Sequence, residues 1–222
     1  MEESQFSLRL PKKIYNLDGV IIGNKKYNLD LLLDKQSRIY TEHISSLNKI
    51  NYKLASAKEF IAIVTCLFDN KNSEYKKEVE ILRKNLKNII RTDYPFMATG
   101  FEYNVDGKKD KIIDNYQLLN QKIEKVDLVG PNGFITELKK EEKLLERLLG
   151  TKEIIKVDES FSWLNDSEKG LYLWRLNEKP DEKIIAVARF FADSDRAWFY
   201  CYRYPSYSDS SLGVRIVSAK NF

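Results

Sequence analysis

Apolar and polar residues recur along this chain with two different periods, and those periods divide it into elements. GVIIGNKKYNLDLLL (Gly19 to Leu33) has apolar runs on both sides of Gly23-Asn24, which predicts a hairpin or two short strands. In SAKEFIAIVTCLFDNK, Ser56 and Glu59 form an S-x-x-E capping box ahead of an apolar run. Phe60, Ile63, Val64 and Leu67 share one helical face, Ile61 and Phe68 widen it, and Cys66 reads as a small core residue. A second helix is predicted from Glu74 to Ile90, where Val79, Leu82, Leu86 and Ile89 make a stripe among Lys and Glu.

FMATGFEYNVDGKKDKIIDNY reads as two strands about an Asp106-Gly107 turn, and VDLVGPNGF as a turn-rich link. TELKKEEKLLERLLG reads as a short helix, with Leu138, Leu144, Leu145, Leu148 and Leu149 on or near one face and Gly150 placed to cap it. From Glu153 onward the pattern turns to β, and EIIKV, LYLWRL, IIAVARFF, RAWFYCYRY and LGVRIV all read as strands. The order predicts an α+β fold with helices packed on an antiparallel sheet and a strand-rich C-terminal third. The N-terminal β-rich segment, residues 1–50, is expected to pack on a main domain of residues 51–222.

One predicted strand stands apart. Side chains alternate across a strand, so Trp198, Tyr200, Tyr202 and Tyr204 point one way and Ala197, Phe199, Cys201 and Arg203 the other. Phe199 and Cys201 suit a core, with Arg203 emerging at its edge. Burying the opposite face would require partners for three phenol hydroxyls in a dry interior. That face is therefore expected to be exposed or to line a groove. Tyr and Trp give large rigid contact area at little entropic cost, and the small polar residues of SYSDSS follow directly, as in a binding surface.

Composition narrows the field of functions. The chain has 222 residues, enough for one large domain or two small ones, and a net charge of +4. Its charges interleave, as in KKEVEILRKNLKN, which is the habit of solvated helix faces and not of a nucleic-acid footprint. Arg196 and Arg203 flank the aromatic stretch, but Asp193, Asp195 and Asp209 offset them and read as solvated loop acids. No window approaches the roughly 18 unbroken apolar residues of a membrane span, and the first residues carry no apolar leader, which leaves the localisation open. The two cysteines, Cys66 and Cys201, belong to no CxxC, and His43 is the one histidine, read as a surface or loop residue. A Cys/His zinc site is not expected, and no cofactor is.

ARFFADSDRAWFYCYRYPSYSDSSLGVRIVSA resembles the C-terminal variable region of proteins diversified by diversity-generating retroelements, in the archaeal and archaeal-virus flavour. GPNGFITEL, LLGTKEIIKVDESFSWLN and LWRLNEKP are similar to the same group, so the resemblance covers roughly Gly130 to Ser218. It implies a C-type-lectin-like fold ending in a strand with a G-[FV]-R signature, here Gly213-Val214-Arg215. It also implies a variable region at about 189–215, rewritten at adenines by a reverse transcriptase. The positions implied to vary, and to bind ligand, are Phe191, Trp198, Tyr200, Tyr202, Tyr204, Tyr207 and Asp209; Trp198 fits an adenine-changed Asn codon poorly, and Ser210 and Ser211 stay open. Phe199, Cys201 and Gly213 would hold the backbone.

The function expected is therefore binding, without catalysis, of a protein or glycan on a host or neighbouring cell, with no nucleic-acid partner and a monomer favoured over a multimer. Two rivals remain: a particle component with a fixed aromatic interface, and an oxidase of the formylglycine-generating type. Calcium-dependent sugar binding is not expected, since NEKPDE and WLND depart from the triplets that such lectins use.

Overall fold

The computed structural model describes residues 7–9, 14–23, 25–105, 110–114, 116, 123–126, 128–129, 134–135, 142–176 and 178–221. Its elements run β1 (Ser7–Arg9), β2 (Ile14–Ile22), β3 (Lys25–Ile39), α1 (Tyr40–Lys49), β4 (Lys53–Leu54), α2 (Ala57–Asp69), α3 (Lys76–Thr92), β5 (Phe96–Tyr103), β6 (Asp110–Ile113), β7 (Ile123–Val126), β8 (Phe134–Ile135), α4 (Glu142–Leu149), α5 (Ile154–Asn165), β9 (Leu171–Trp174), β10 (Ile184–Ala192), β11 (Ala197–Arg203) and β12 (Ser208–Asn221). The Asp106-Gly107 turn, the GPNG link and Leu138 lie outside the described residues.

All the described strands join one sheet, whose main path runs β1-β2-β3-β12-β5-β10-β11-β9-β8. The fold is thus mixed α+β, but the sheet is not purely antiparallel: β9 runs parallel to β11, and β12 meets β5 in parallel at Ser211 and Phe96. The chain's last strand lies inside the sheet, between β3 and β5. Through β3, the N-terminal hairpin is hydrogen-bonded to the C-terminus, with Leu29 opposite Ile216 and Leu33 opposite Leu212.

The front of the sheet is covered by α2, α3, α4 and α5. Ser56 caps α2, its hydroxyl accepting from the Glu59 amide while Glu59 accepts in return from the Ser56 amide at 2.8 Å. That exchange satisfies donors that a helix start otherwise leaves orphaned. Phe60, Ile63, Val64 and Leu67 from α2 and Val79, Leu82, Leu86 and Ile89 from α3 are fully buried against Phe101, Phe190 and Phe199 of the sheet. Truncating a buried leucine here costs about 2–5 kcal/mol.

Two expectations fail at helices. EIIKV is the first turn of α5, not a strand. Ile154, Val157, Phe161 and Leu164 are buried at helical spacing, and tertiary packing outweighs the β preference of branched residues. Cations of α3 close this helix: Arg83 Nε donates to the Trp163 carbonyl at 2.9 Å and Arg91 to the Asn165 carbonyl at 2.7 Å. YTEHISSLN is also a helix, α1, and His43 is completely buried in it, so it is not a surface or loop residue.

Helix α1 lies on the back of the sheet. A second, smaller core there joins Tyr40 and Leu47 of α1 to Tyr52, Leu54, Phe96, Ala98 and Val187. Gly213 of β12 permits this close approach, since a Cβ added to it would come within 2.7 Å of the Leu47 side chain. Its neighbours are equally committed: Leu212 and Val214 are buried in the front core, and Arg215 donates from Nε to Asp30 of β3 at 2.9 Å.

Candidate functional site

Beyond α1, the back of the sheet carries aromatic rings. On β11, Ala197, Phe199 and Cys201 are buried in the front core, while Trp198 and Tyr200 are only partly covered on the opposite face. A register shift between Val187 and Arg189 then breaks the alternation: Tyr202 packs against the front core beside Tyr103, and Arg203 comes opposite Val187 on the back, not on the face of Phe199 and Cys201 as expected. On β10 the same alternation sends Phe190 to the front and Arg189 and Phe191 to the back. Register then aligns residues across three strands. Phe191 of β10 pairs with Trp198 of β11, which pairs with Tyr172 of β9; one step along, Arg189, Tyr200 and Trp174 repeat the order.

These rungs are in ring contact. Phe191 stacks on Trp198 with centroids 5.7 Å apart, and Trp198 meets Tyr172 edge to face at 5.3 Å. Tyr200 meets Trp174 edge to face at 4.8 Å. Such arrangements satisfy the quadrupoles of the rings. A further line of rings leaves the end of β11: Tyr202 and Tyr204 are 5.2 Å apart and share a hydroxyl hydrogen bond, and Tyr204 and Tyr207 are 5.7 Å apart. Tyr204 and Tyr207 are exposed, at 39% and 50%.

Of the seven residues selected from the sequence, Phe191, Trp198 and Tyr200 are thus in ring contact on the back face, and Tyr202, Tyr204 and Tyr207 form a second line of rings from the end of β11. The seventh differs. Asp209 is 6% exposed and accepts from Arg203 Nε at 2.6 Å and from its NH2 group at 3.0 Å, a bidentate pair. It anchors the base of the tyrosine loop and is neither a solvated acid nor a contact offered to solvent. Ser210 and Ser211 are also buried, so the small polar residues of SYSDSS do not all face outward. Asp193, by contrast, is exposed and receives the amides of Asp195 and Arg196, holding the turn between β10 and β11.

Four participants escaped the sequence reading. Tyr172 and Trp174 have a legible signal, since LYLW alternates as RAWFYCYRY does; their place beside Trp198 depends on the parallel pairing of β9. Tyr94, with φ +48°, packs edge to face on Phe191 at 6.1 Å. Arg189 lies among Tyr94, Phe191 and Tyr200, its guanidinium carbon 5.4, 5.2 and 5.1 Å from the three ring centroids.

A polar brace supports the site from behind. His43 Nε2 lies 2.7 Å from the Asp209 carbonyl oxygen, and its Nδ1 is 3.6 Å from an oxygen of Asp34, which Arg38 also pairs. The Tyr40 amide donates to the Pro205 carbonyl at 3.1 Å. Helix α1 therefore holds the segment that presents Tyr204 and Tyr207 at Pro205, between the two rings, and at Asp209, just beyond them. Burial raises the Tyr200 hydroxyl pKa against the opposing pull of Arg189 and Arg203, so this phenol stays protonated as a donor and acceptor.

No group of three or more potential metal-ligating His, Cys, Asp or Glu side chains occurs among the described residues. Both cysteines are free and buried in the front core; burial pushes the Cys66 thiol up to about 12 and the Cys201 thiol well above its usual value. No helix among the described residues is long and apolar enough to cross a membrane. Compared with known protein families and with characterised proteins, the chain matches none.

Proposed function

We propose that this is a binding protein of C-type-lectin-like fold whose β9–β11 face and tyrosine loop recognise a macromolecule, a protein or glycan on a host or neighbouring cell. The observation that carries the reading is the division of labour along β11. Ala197, Phe199 and Cys201 are buried, while Trp198 and Tyr200 join Phe191, Tyr172 and Trp174 in an aromatic surface on a doubly paired strand. Outward side chains on such a strand can be exchanged while the packed inward ones keep the fold. Rigid aromatic area of this kind is what dominates protein recognition energetically.

The resemblance to diversity-generating retroelement proteins gives the exchange a mechanism. Phe191, Trp198, Tyr200, Tyr202, Tyr204 and Tyr207 are the positions that would vary, with Gly213-Val214-Arg215 as the fixed terminal strand. Asp209 belongs to that set by sequence, and its variation would alter how the loop is anchored. A formylglycine-type oxidase is disfavoured by the burial of both thiols, since thiol chemistry needs an accessible thiolate. A nucleic-acid surface is disfavoured because Arg196 and Arg203 are each paired, with Asp195 and Asp209.

The test is on DNA. Sequencing the codons for Ala188 to Arg215 and their flank in many sibling molecules should reveal a nearby near-identical repeat that differs at its adenines, beside a reverse-transcriptase gene. An invariant locus with no such repeat overturns the diversification. If the purified chain then also sediments as a stable multimer that buries Tyr200, Tyr202 and Tyr204, the aromatic face is a fixed interface instead.

A further inference from the structure

Charges on the back face do not balance. Arg203 takes both oxygens of Asp209. Arg189 reaches the same carboxylate only at 3.6 Å, beyond hydrogen-bonding distance. Two guanidiniums therefore share one carboxylate, and the second of them lies in the midst of the rings. Elsewhere on this face Arg196 and Lys169 are both matched with Asp195, and Asp193 is close by, so among the described residues the excess cation is localised at Arg189. Its Nε is buried and has no hydrogen-bond partner among the described residues. A buried donor left unmade costs about 1–3 kcal/mol, more for a charged group. The rings of Tyr94, Phe191 and Tyr200 hold the guanidinium in place and offset part of that cost by cation–π attraction. Its side chain retains 17% exposure, so the fork is reachable from solvent.

We propose that Arg189 is a recognition subsite for a carboxylate group of the ligand, framed by Tyr94, Phe191 and Tyr200. A planar carboxylate matches the planar guanidinium fork, gives its solvent-reachable amino groups an acceptor and neutralises the surplus charge beside the buried Nε, while the rings exclude water and strengthen the pair. Arg189 lies outside the alternating positions read as exchangeable, and so does Tyr94. The subsite would thus persist while the rings around it change: ligands of different shape would share an acidic group. This rests on the reading of the back face as a ligand surface.

The probe is acetate, with benzoate as a planar aromatic carboxylate, titrated into the full chain labelled with nitrogen-15 at arginine. Total salt is held near 0.1 M with chloride, where the screening length is about 10 Å and distant charges fall silent. The Arg189 side-chain Nε–H resonance, assigned by its loss in Arg189→Lys and Arg189→Gln, should shift saturably with acetate. Benzoate should bind about threefold or more tightly, because its ring meets the frame. The Arg203 resonance should stay put. A linear shift common to all arginines, or none at Arg189, overturns the subsite, and because the decisive titration uses the unsubstituted chain, variants that fold poorly cannot obscure it. A saturable acetate shift in a chain that captures no cell-surface protein or glycan refutes the larger reading alone; capture without the shift refutes the subsite alone.

Discussion

Replacing Phe199 by alanine should be far more damaging than replacing Tyr204, five positions along. Phe199 has no exposed surface, and its ring lies 4.8 Å from Phe190 and 6.5 Å from Phe101. Truncation leaves a cavity that these neighbours cannot fill, at a cost of about 3–5 kcal/mol. For a domain of this size each kcal/mol lowers Tm by about 2–4 °C, so Phe199→Ala should lose roughly 6–20 °C. Tyr200→Ala removes ring contacts with Trp174 and Phe191 from a half-covered side chain and should cost about 1–2 kcal/mol. Tyr204→Ala, at an exposed position, should stay within about 1 kcal/mol. Thermal melts by circular dichroism, at matched protein concentration, give the three values. The order Phe199, Tyr200, Tyr204 is the outcome expected. A loss for Tyr204→Ala equal to that for Phe199→Ala would refute the two-faced strand.

Other outcomes follow from the anchor, the thiols and the phenols. Asp209→Asn removes the counter-charge of Arg203 and leaves Arg189 unopposed, which should cost about 2–3 kcal/mol in urea unfolding, below the usual figure for a broken buried pair because both arginines touch solvent; no change would mean the carboxylate does not anchor the loop. Neither cysteine should react with a disulfide reagent in the folded chain at neutral pH, and both should react on unfolding; a fast native-state phase would contradict the buried thiols. Burial, then the hydrogen bond with Tyr204, raises the Tyr202 hydroxyl to about 12, against about 10 in the unfolded chain. The native state then holds the proton more tightly, so this stabilisation is whole below pH 10 and is lost as pH rises toward 12. A near-ultraviolet absorbance titration should show a late phenolate step that Tyr202→Phe removes.

Much of this architecture could be read locally. The capping box at Ser56 and the stripe from Val79 to Ile89 mark α2 and α3, because a helix records its buried face at a period of 3.6. The alternation from Ala197 to Cys201 marks both faces of β11, but the register shift that turns Tyr202 toward the front core and Arg203 to the back has no mark in RAWFYCYRY. Relations across the chain were not legible. That Tyr172 and Trp174 extend the aromatic surface depends on a parallel pairing that nothing in LYLW specifies. That His43 is buried depends on a carbonyl 166 positions away. Asp209 looked solvated because its partners, Arg203 and Arg189, face it only once β10, β11 and β12 are assembled. Ile154-Ile155 misled for the opposite reason: local β preference is weak beside the front core that Ile154 enters.

The inward place of β12 carries a consequence for how this surface can change over generations. The segment that bears the rings is not a tail; downstream of it the chain must re-enter the sheet and meet β3 along fourteen residues, from Ser208 to Asn221. An extra residue that the short Tyr204–Tyr207 loop failed to absorb would slip that register by one, turning Leu212 and Val214 outward and carrying Gly213 away from α1. Novelty here must come through spelling at constant length, letter for letter. Insertions and deletions, the usual currency of variable loops, are open to it only where that short loop can take them up.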